Sequence, residues 1–310
     1  APELQVKRGS QVMLKVATVV LTILPLFAAS LPAQAPKDYR QSIETWREGR
    51  IARLTAPDGW LTLVGLYWLS PGTNRFGTAS DNDIVFPASS GAPAHVGRFD
   101  LSAGQVTVTV TQGDVRIEGK PVHHLELASD ASGNPSELRL GHLLFYVIKR
   151  GDRLGIRLKD SQAAARIHFK GIEHYPVDPK WRVVARFEPY RPPKIIPIAT
   201  EAGTVAREPS PGALVFEHRG KTYRLDSLTE EGTKDFFIIF RDGTSGRTTY
   251  GGGRSLYAPP PSPDGTTVLD FNKAYNQPCA FTPFATCSIP PPQNVLPFAV
   301  TAGEKTYPAP

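Results

Sequence analysis

The sequence predicts an all-β protein, a β-sandwich or barrel-like fold entered through one N-terminal helix, and three observations predict it. Thirty prolines and 27 glycines in 310 residues cut the chain into short segments separated by turns. Apolar and polar residues alternate with a period of two in many of those segments, as in Gln105–Val110, QVTVTV. Only Ser42–Leu54 repeats convincingly at helical spacing, with Ile43, Trp46, Ile51 and Leu54 near one face.

In chain order, residues 1–12 read as an upstream extension and residues 13–35 as a signal peptide. Lys15, an apolar run from Val16 to Ala29 and the small residues Ala33-Gln34-Ala35 supply its three regions. The run is shorter than the roughly 20 residues that a span needs, and Pro25 interrupts it. An exported protein is expected, periplasmic or extracellular after cleavage near Ala35, with no membrane span in the mature chain. The helix takes Ser42 or Asp38 as N-cap and stops at Pro57-Asp58-Gly59. Trp60–Leu69 then reads as buried core, with Trp60 and Trp68 as packing pieces. Leu143–Lys149 and Arg153–Leu158 flank a Gly151-Asp152 turn and read as a hairpin. The helix and these strands make a first domain, residues 36–176. Arg191-Pro192-Pro193 reads as a linker into a second β-rich domain, residues 194–310. Its strands are placed at 194–199, 213–218, 221–225, 236–240, 266–271 and 295–301.

The chemistry concentrates near the C-terminus. Arg241–Arg254 follows the apolar strand Phe236–Phe240, so its polar groups emerge where a buried strand meets the surface, and Gly243 and Gly246 let backbone N–H groups approach an anion. The same stretch reads equally as a glycine-rich turn whose Asp242, Thr244 and Ser245 cap backbone groups. The segment 270–304 is long for a connection, yet its aromatics argue for packing. Asp270, Asn272, Asn276 and Glu304 are its polar set, able to hold a hard cation, to serve as an acid/base pair or to cap the loop. The strand ending at Tyr257 and the strand beginning at Thr266 are expected to pair across the Pro259–Gly265 excursion and bring Arg254 to Asp270. Cys279 and Cys287 read as one disulfide in an exported chain, and the dispersed histidines give no metal spacing. The formal net charge of +6 is spread along the chain, which argues for solubility and against a nucleic-acid footprint.

Two resemblances stand beside these readings. GTNRFGTASDNDIVFPASSGAPAHVGRFDL is similar to the opening of a forkhead-associated sandwich through Gly77, Asp83-Ile84 and His95. Thr78 and Ala92 replace the arginine and serine that hold phosphate in that family, so phosphothreonine reading does not carry over. DGWLTLVGLYWLSPGTNRFG, FRDGTSGRTTYGGGRSLY and LDFNKAYNQPCAFTPFATCSIPPPQNVLPFAVTAGEK resemble the family called domain of unknown function 1684, found in bacteria and archaea. Gln277 and Ser288 stand where that family usually has proline. The resemblance implies kinship and no activity, no cofactor and no reaction. Two functions therefore stay open. One is the binding of a small anionic or carbohydrate-like ligand in a C-terminal polar cleft built from Asp242, Thr244, Arg254, Asp270, Asn272, Asn276 and Glu304. The other is a cation-assisted hydrolase using Asp270, Glu304 or Asp242 with Arg254.

Overall fold

The structure, a computed structural model, describes residues 37–308, and the expected signal peptide lies outside the described residues. Helix α1 (Lys37–Leu54) begins five residues before Ser42. Asp38 sits in the first turn, where a carboxylate meets the positive end of the helix dipole. Ser42 is inside the helix, its hydroxyl donating back to the Tyr39 carbonyl, and so is not the cap. Among the described residues no helix is long and apolar enough to cross a membrane.

Eleven strands follow: β1 (Leu63–Trp68), β2 (Gly72–Gly77), β3 (Ile84–Val85), β4 (Gly97–Ser102), β5 (Gln105–Val110), β6 (Arg116–Ile117), β7 (Lys120–Pro121), β8 (His124–Leu127), β9 (Leu138–Leu140), β10 (Leu143–Arg150) and β11 (Arg153–Asp160). They form a five-stranded sheet, β3-β2-β4-β5-β8, and a six-stranded sheet, β1-β11-β10-β9-β6-β7. Between them lies a core in which Phe76 stacks on Phe99 at 4.5 Å and Phe145 packs against both. β10 is apolar without alternation because both of its faces are covered. Phe145 and Val147 enter this core, while Leu144, Tyr146 and Ile148 pack with Leu66 and Trp68 on the other side. The expected β10–β11 hairpin forms, with Arg150 opposite Arg153 and Gly151 at φ +58° in the turn. Trp60, expected in the core, is 38% exposed in a short 3₁₀ turn ahead of β1.

The second half contributes β12 (Arg182–Ala199), β13 (Val205–His218), β14 (Lys221–Asp226), β15 (Phe236–Phe240), β16 (Arg254–Ala258), β17 (Thr266–Asp270) and β18 (Tyr275–Asn276). One sheet runs β14-β13-β12-β17 and the other β15-β16-β18. Trp181, Leu214, Phe240, Leu256, Leu269 and Phe271 belong to the core they share. Arg191-Pro192-Pro193 is not a linker between strands. It lies within β12, where the register with β13 shifts between Pro189 and Lys194 because proline cannot donate to the ladder. β16 and β17 do not pair. The Pro259–Gly265 excursion carries the chain from one sheet to the other, so Leu256 and Leu269 meet in the core instead of sharing a ladder.

Val295–Thr301 is also not a strand; Val295 only bridges Arg241. Side chains have taken the place of a ladder there. The Val300 N–H donates to the Asp242 carboxylate, and the Val300 and Ala302 carbonyls accept from the Arg254 guanidinium. Cys279 and Cys287 form the expected disulfide, with Cα atoms 6.0 Å apart.

Candidate functional site

The three-stranded sheet sorts the C-terminal polar residues by face. Directly opposed residues of an antiparallel pair point to the same side, and neighbours along a strand point to opposite sides. Phe240 opposes Arg254, which opposes Asn276, and all three face the core. Ser255 opposes Tyr275, and Tyr257 opposes Phe237, so these residues share the other face, which looks into a cleft. The strands that sequence reading selected are therefore at the cleft, while Arg254 and Asn276 point away from it.

The expected site residues fall into three buried networks. In the first, Arg254 is fully buried and pairs with Asp242 at 2.8 Å; its two terminal nitrogens also reach the carbonyls of Val300, Ala302 and Glu304, while its Nε has no partner. Asp242 Oδ1 also accepts from the N–H and hydroxyl of Thr244, and the Thr244 hydroxyl meets that of Thr249 at 2.8 Å. In the second, Asp270 Oδ1 accepts from the Tyr39 hydroxyl at 2.7 Å and from the Asn272 N–H. Asn272 clamps both backbone groups of Asp178. Burial and the Asp270 carboxylate push the Tyr39 hydroxyl well above the ordinary phenol range, so it stays a donor.

The third network ties α1 to the C-terminal segment. Arg50 Nε donates to Glu304 Oε1 at 3.1 Å and Arg50 Nη2 to the Asn276 carbonyl at 2.7 Å, while the Asn276 N–H donates to Glu304 Oε2. Asn276 Nδ2 donates to the Lys305 carbonyl. Burial raises the Glu304 carboxyl, with Arg50 and the Asn276 N–H opposing that shift. Arg254 thus takes Asp242 as its carboxylate, not Asp270, and Asp270 and Glu304 belong to separate networks.

The concave surface lies beside these networks, in a cleft of about 380 Å³ where α1, β16, β18 and the disulfide loop meet Trp60 and Arg150. Trp46, Arg50 and Arg53 reach it from one face of α1, spaced i, i+4 and i+7. Tyr275 is the centre of its aromatic wall: the Arg50 guanidinium lies 4.7 Å from its ring centroid, Trp46 packs at 6.4 Å, and Tyr257 stacks at 6.1 Å and 12°. The Tyr257 hydroxyl donates to Glu230. Partial burial, Tyr275 and that carboxylate push it far above the ordinary range, which keeps it protonated.

At the other end, Arg150 Nε and Arg157 Nη2 share the hydroxyl of Thr286 at 3.0 and 3.2 Å. Arg150 also pairs with Asp130, whereas Arg157 is buried without a carboxylate partner among the described residues, its guanidinium 5.5 Å from the Trp60 ring. Arg53 is exposed and likewise has no carboxylate partner among them. Gln277 is buried, lines the cleft, and has an Nε2 donor with no partner.

None of these cleft residues was singled out as a site from sequence. The signals were present: Trp46, Arg50 and Arg53 at helical spacing, Ser255 and Tyr257 two apart beside the chosen Arg254, and Gln277 and Ser288, the two departures from the family pattern, both of which line the cleft.

Comparison with known proteins gives kinship. The model of a family described as protein of unknown function (DUF1684) matches residues 167–305. Among solved structures, the chain is similar to an uncharacterized protein of Haloarcula marismortui, at 32% identity over 46% of this chain and 79% of that one, with a TM-score of 0.39. It also matches the FhaA FHA domain, solved with the intracellular domain of Rv3910, at 15% identity over 30% of this chain and 97% of that one, with a TM-score of 0.22. An FHA domain from work on phosphothreonine-dependent interactions matches at 18% identity over 32% of this chain and 96% of that one, with a TM-score of 0.21. No curated protein matches the chain.

Proposed function

Starting from the fact that the chain belongs to the DUF1684 family, we propose that it is an exported, β-rich protein that binds a small anionic ligand in the cleft between α1, β16, β18 and the disulfide loop. The observation that carries this reading is the charge in and behind the cleft. Arg50, Arg53 and Arg150 line it with Glu230 as the lining carboxylate. Arg50 and Arg150 are paired with Glu304 and Asp130, so the charge left over is that of Arg53 and of Arg157, which sits buried behind Trp60 without a counter-charge among the described residues. A guanidinium held in a partly dry concavity favours an anion, above all a planar one that can take two parallel hydrogen bonds. The first hydrophobic core draws on residues 76–158 and the second on residues 181–302, so the division we adopt falls before Trp181 and not at residue 194, with Trp60 and Arg150 supplied to the cleft by the first part and β16 and β18 by the second.

Asp242, Thr244, Arg254, Asp270, Asn272, Asn276 and Glu304 act in this reading as the frame that holds the sheet face and α1 in place. The hydrolase alternative needs a carboxylate free to move a proton. Asp242 and Glu304 already accept backbone N–H and guanidinium donors, and Asp270 Oδ1 accepts Tyr39 and Asn272, so binding is the function adopted.

Calorimetric titration of the purified protein with succinate, citrate and phosphate at low salt tests the proposal. At least one should bind, and Arg53→Gln should weaken that binding by about tenfold, as loss of one charge-assisted hydrogen bond implies, with the melting temperature unchanged. Unaltered affinity in Arg53→Gln, or no binding of any carboxylate or phosphate ligand at low salt, would overturn it.

A further inference from the structure

We infer that the anion suited to this cleft is an acidic saccharide, a sugar ring carrying a carboxylate; this assignment rests on the anion-binding reading above and narrows it. The first support is the placement of exposed rings. Among the described residues, the large apolar side chains left substantially exposed are Trp60 and Tyr257, at 38% and 36%, and six aliphatic ones. The only two aromatics of that group line the same cleft. A chain ordinarily buries such rings, because they carry the largest apolar area of any side chain. Two flat apolar faces in one concavity suit a ligand with flat C–H surface, and an inorganic anion has none to offer.

The second support is the polar lining. The Nε2 of Gln277 is a buried donor with no protein partner, and an unpaired buried donor is costly unless a ligand satisfies it. Beside it stand the hydroxyls of Ser255, Tyr257, Tyr275 and Thr286. A hydroxyl both donates and accepts, and a sugar is the ligand class whose own hydroxyls do the same around a ring. Tyr257 is oriented by its bond to Glu230, so its ring stays tilted against Phe237 and stacked on Tyr275 rather than turning freely.

The third support is that charge and rings are adjacent. Arg50 lines the cleft against Tyr275, while Arg157 stands behind Trp60, so a carboxylate on the rim of a ring stacked on this wall meets the Arg50 guanidinium without leaving the aromatic surface. The cleft's 380 Å³ falls within the range of small-ligand sites, which suits a hexuronate or a short acidic oligosaccharide.

The experiment is a titration of the full chain at low salt with D-galacturonate and D-glucuronate, and in parallel with D-galactose, succinate and benzoate. At least one uronate should bind tenfold or more tightly than all three comparison compounds. Trp60→Ala should cut that affinity at least fivefold while leaving succinate affinity and the melting temperature unchanged. Succinate or benzoate binding as tightly as the uronates would overturn the saccharide assignment and leave the anion reading standing. Galactose binding as tightly would overturn both, because charge would then contribute nothing. Failure of both uronates to bind while succinate, citrate or phosphate binds overturns only the narrower claim.

Discussion

The two faces of the sheet β15-β16-β18 are made from adjacent residues and behave as different materials. On the inner face, Arg254 and Asn276 are fully buried; the two terminal nitrogens of Arg254 are bound to Asp242 and to carbonyls of residues 300–304 and the Asn276 amide nitrogen to the Lys305 carbonyl, while Arg254 Nε and Asn276 Oδ1 have no partner. On the outer face, Tyr257 and Tyr275 keep their rings toward a cleft in which cations outnumber carboxylates. The difference teaches that polarity in a strand does not by itself mark a site. What decides is whether the chain supplies partners: Arg254 has a carboxylate and three carbonyls, while Arg53 and the Gln277 amide have none.

The comparison breaks most sharply at Arg254. Arg254→Ala leaves the Asp242 carboxylate buried without its counter-ion and two or three carbonyls without donors, which should cost about 3–5 kcal/mol. The melting temperature is then expected to fall on the order of 10 °C, read by calorimetry. The double variant Arg254→Met, Asp242→Asn should recover part of that loss, because it removes the stranded charge. A change of less than about 1 kcal/mol in Arg254→Ala would place the inner-face arginine with ordinary surface ion pairs and erase the contrast between the faces.

A smaller effect comes from His174, which forms an isolated β-bridge with Glu304 and stands near Arg47 and Arg50. Burial, reinforced by those two guanidinium groups, lowers its pKa from 6.5 to about 4. The folded protein therefore holds this imidazole neutral while the unfolded chain protonates it near 6.5. As the pH falls from about 6.5 to 4 the unfolded state takes up a proton that the native state does not, so stability declines across that window. The full shift corresponds to about 3 kcal/mol, and solvent screening of this partly exposed ring reduces the expected loss to about 1–2 kcal/mol. His174→Gln should flatten the stability profile between pH 4 and 6.5; an unchanged profile would remove His174 as its source.

Much of the fold was legible because it rests on local pattern. The alternation of β5, the hairpin at Gly151-Asp152, the N-terminal helix and the disulfide each follow from residues close in sequence. The misplacements have a common cause in long-range pairing. In RSLYA, alternation separates Arg254 from Ser255 and Tyr257 but cannot say which face is inside. That was decided by Asp242 and by carbonyls some fifty residues downstream, whose capture by Arg254 also turned the apolar Val295–Thr301 from strand to loop. Trp60 was assigned to the core on residue type, although a tryptophan after the Pro57-Asp58-Gly59 turn can be held at a rim by a neighbouring guanidinium, as Arg157 does here.

The smallest expected effect is the most informative about the outer face. Tyr257→Phe keeps the ring, its stack on Tyr275 and its tilted packing on Phe237 but removes the hydroxyl that donates to Glu230. Glu230 is exposed, so water replaces the lost donor and the stability change should stay within about 0.5 kcal/mol, the usual range for a surface substitution. The charge of Glu230 in the cleft is then no longer held against the phenol, and its repulsion of an incoming carboxylate grows. Succinate affinity should fall severalfold at low salt, and the gap to the parent protein should narrow at about 0.5 M salt, where screening acts within a few ångströms. A melting temperature lowered as much as by Arg254→Ala would mean that the outer face is also a structural network, and the distinction between the two faces would not survive it.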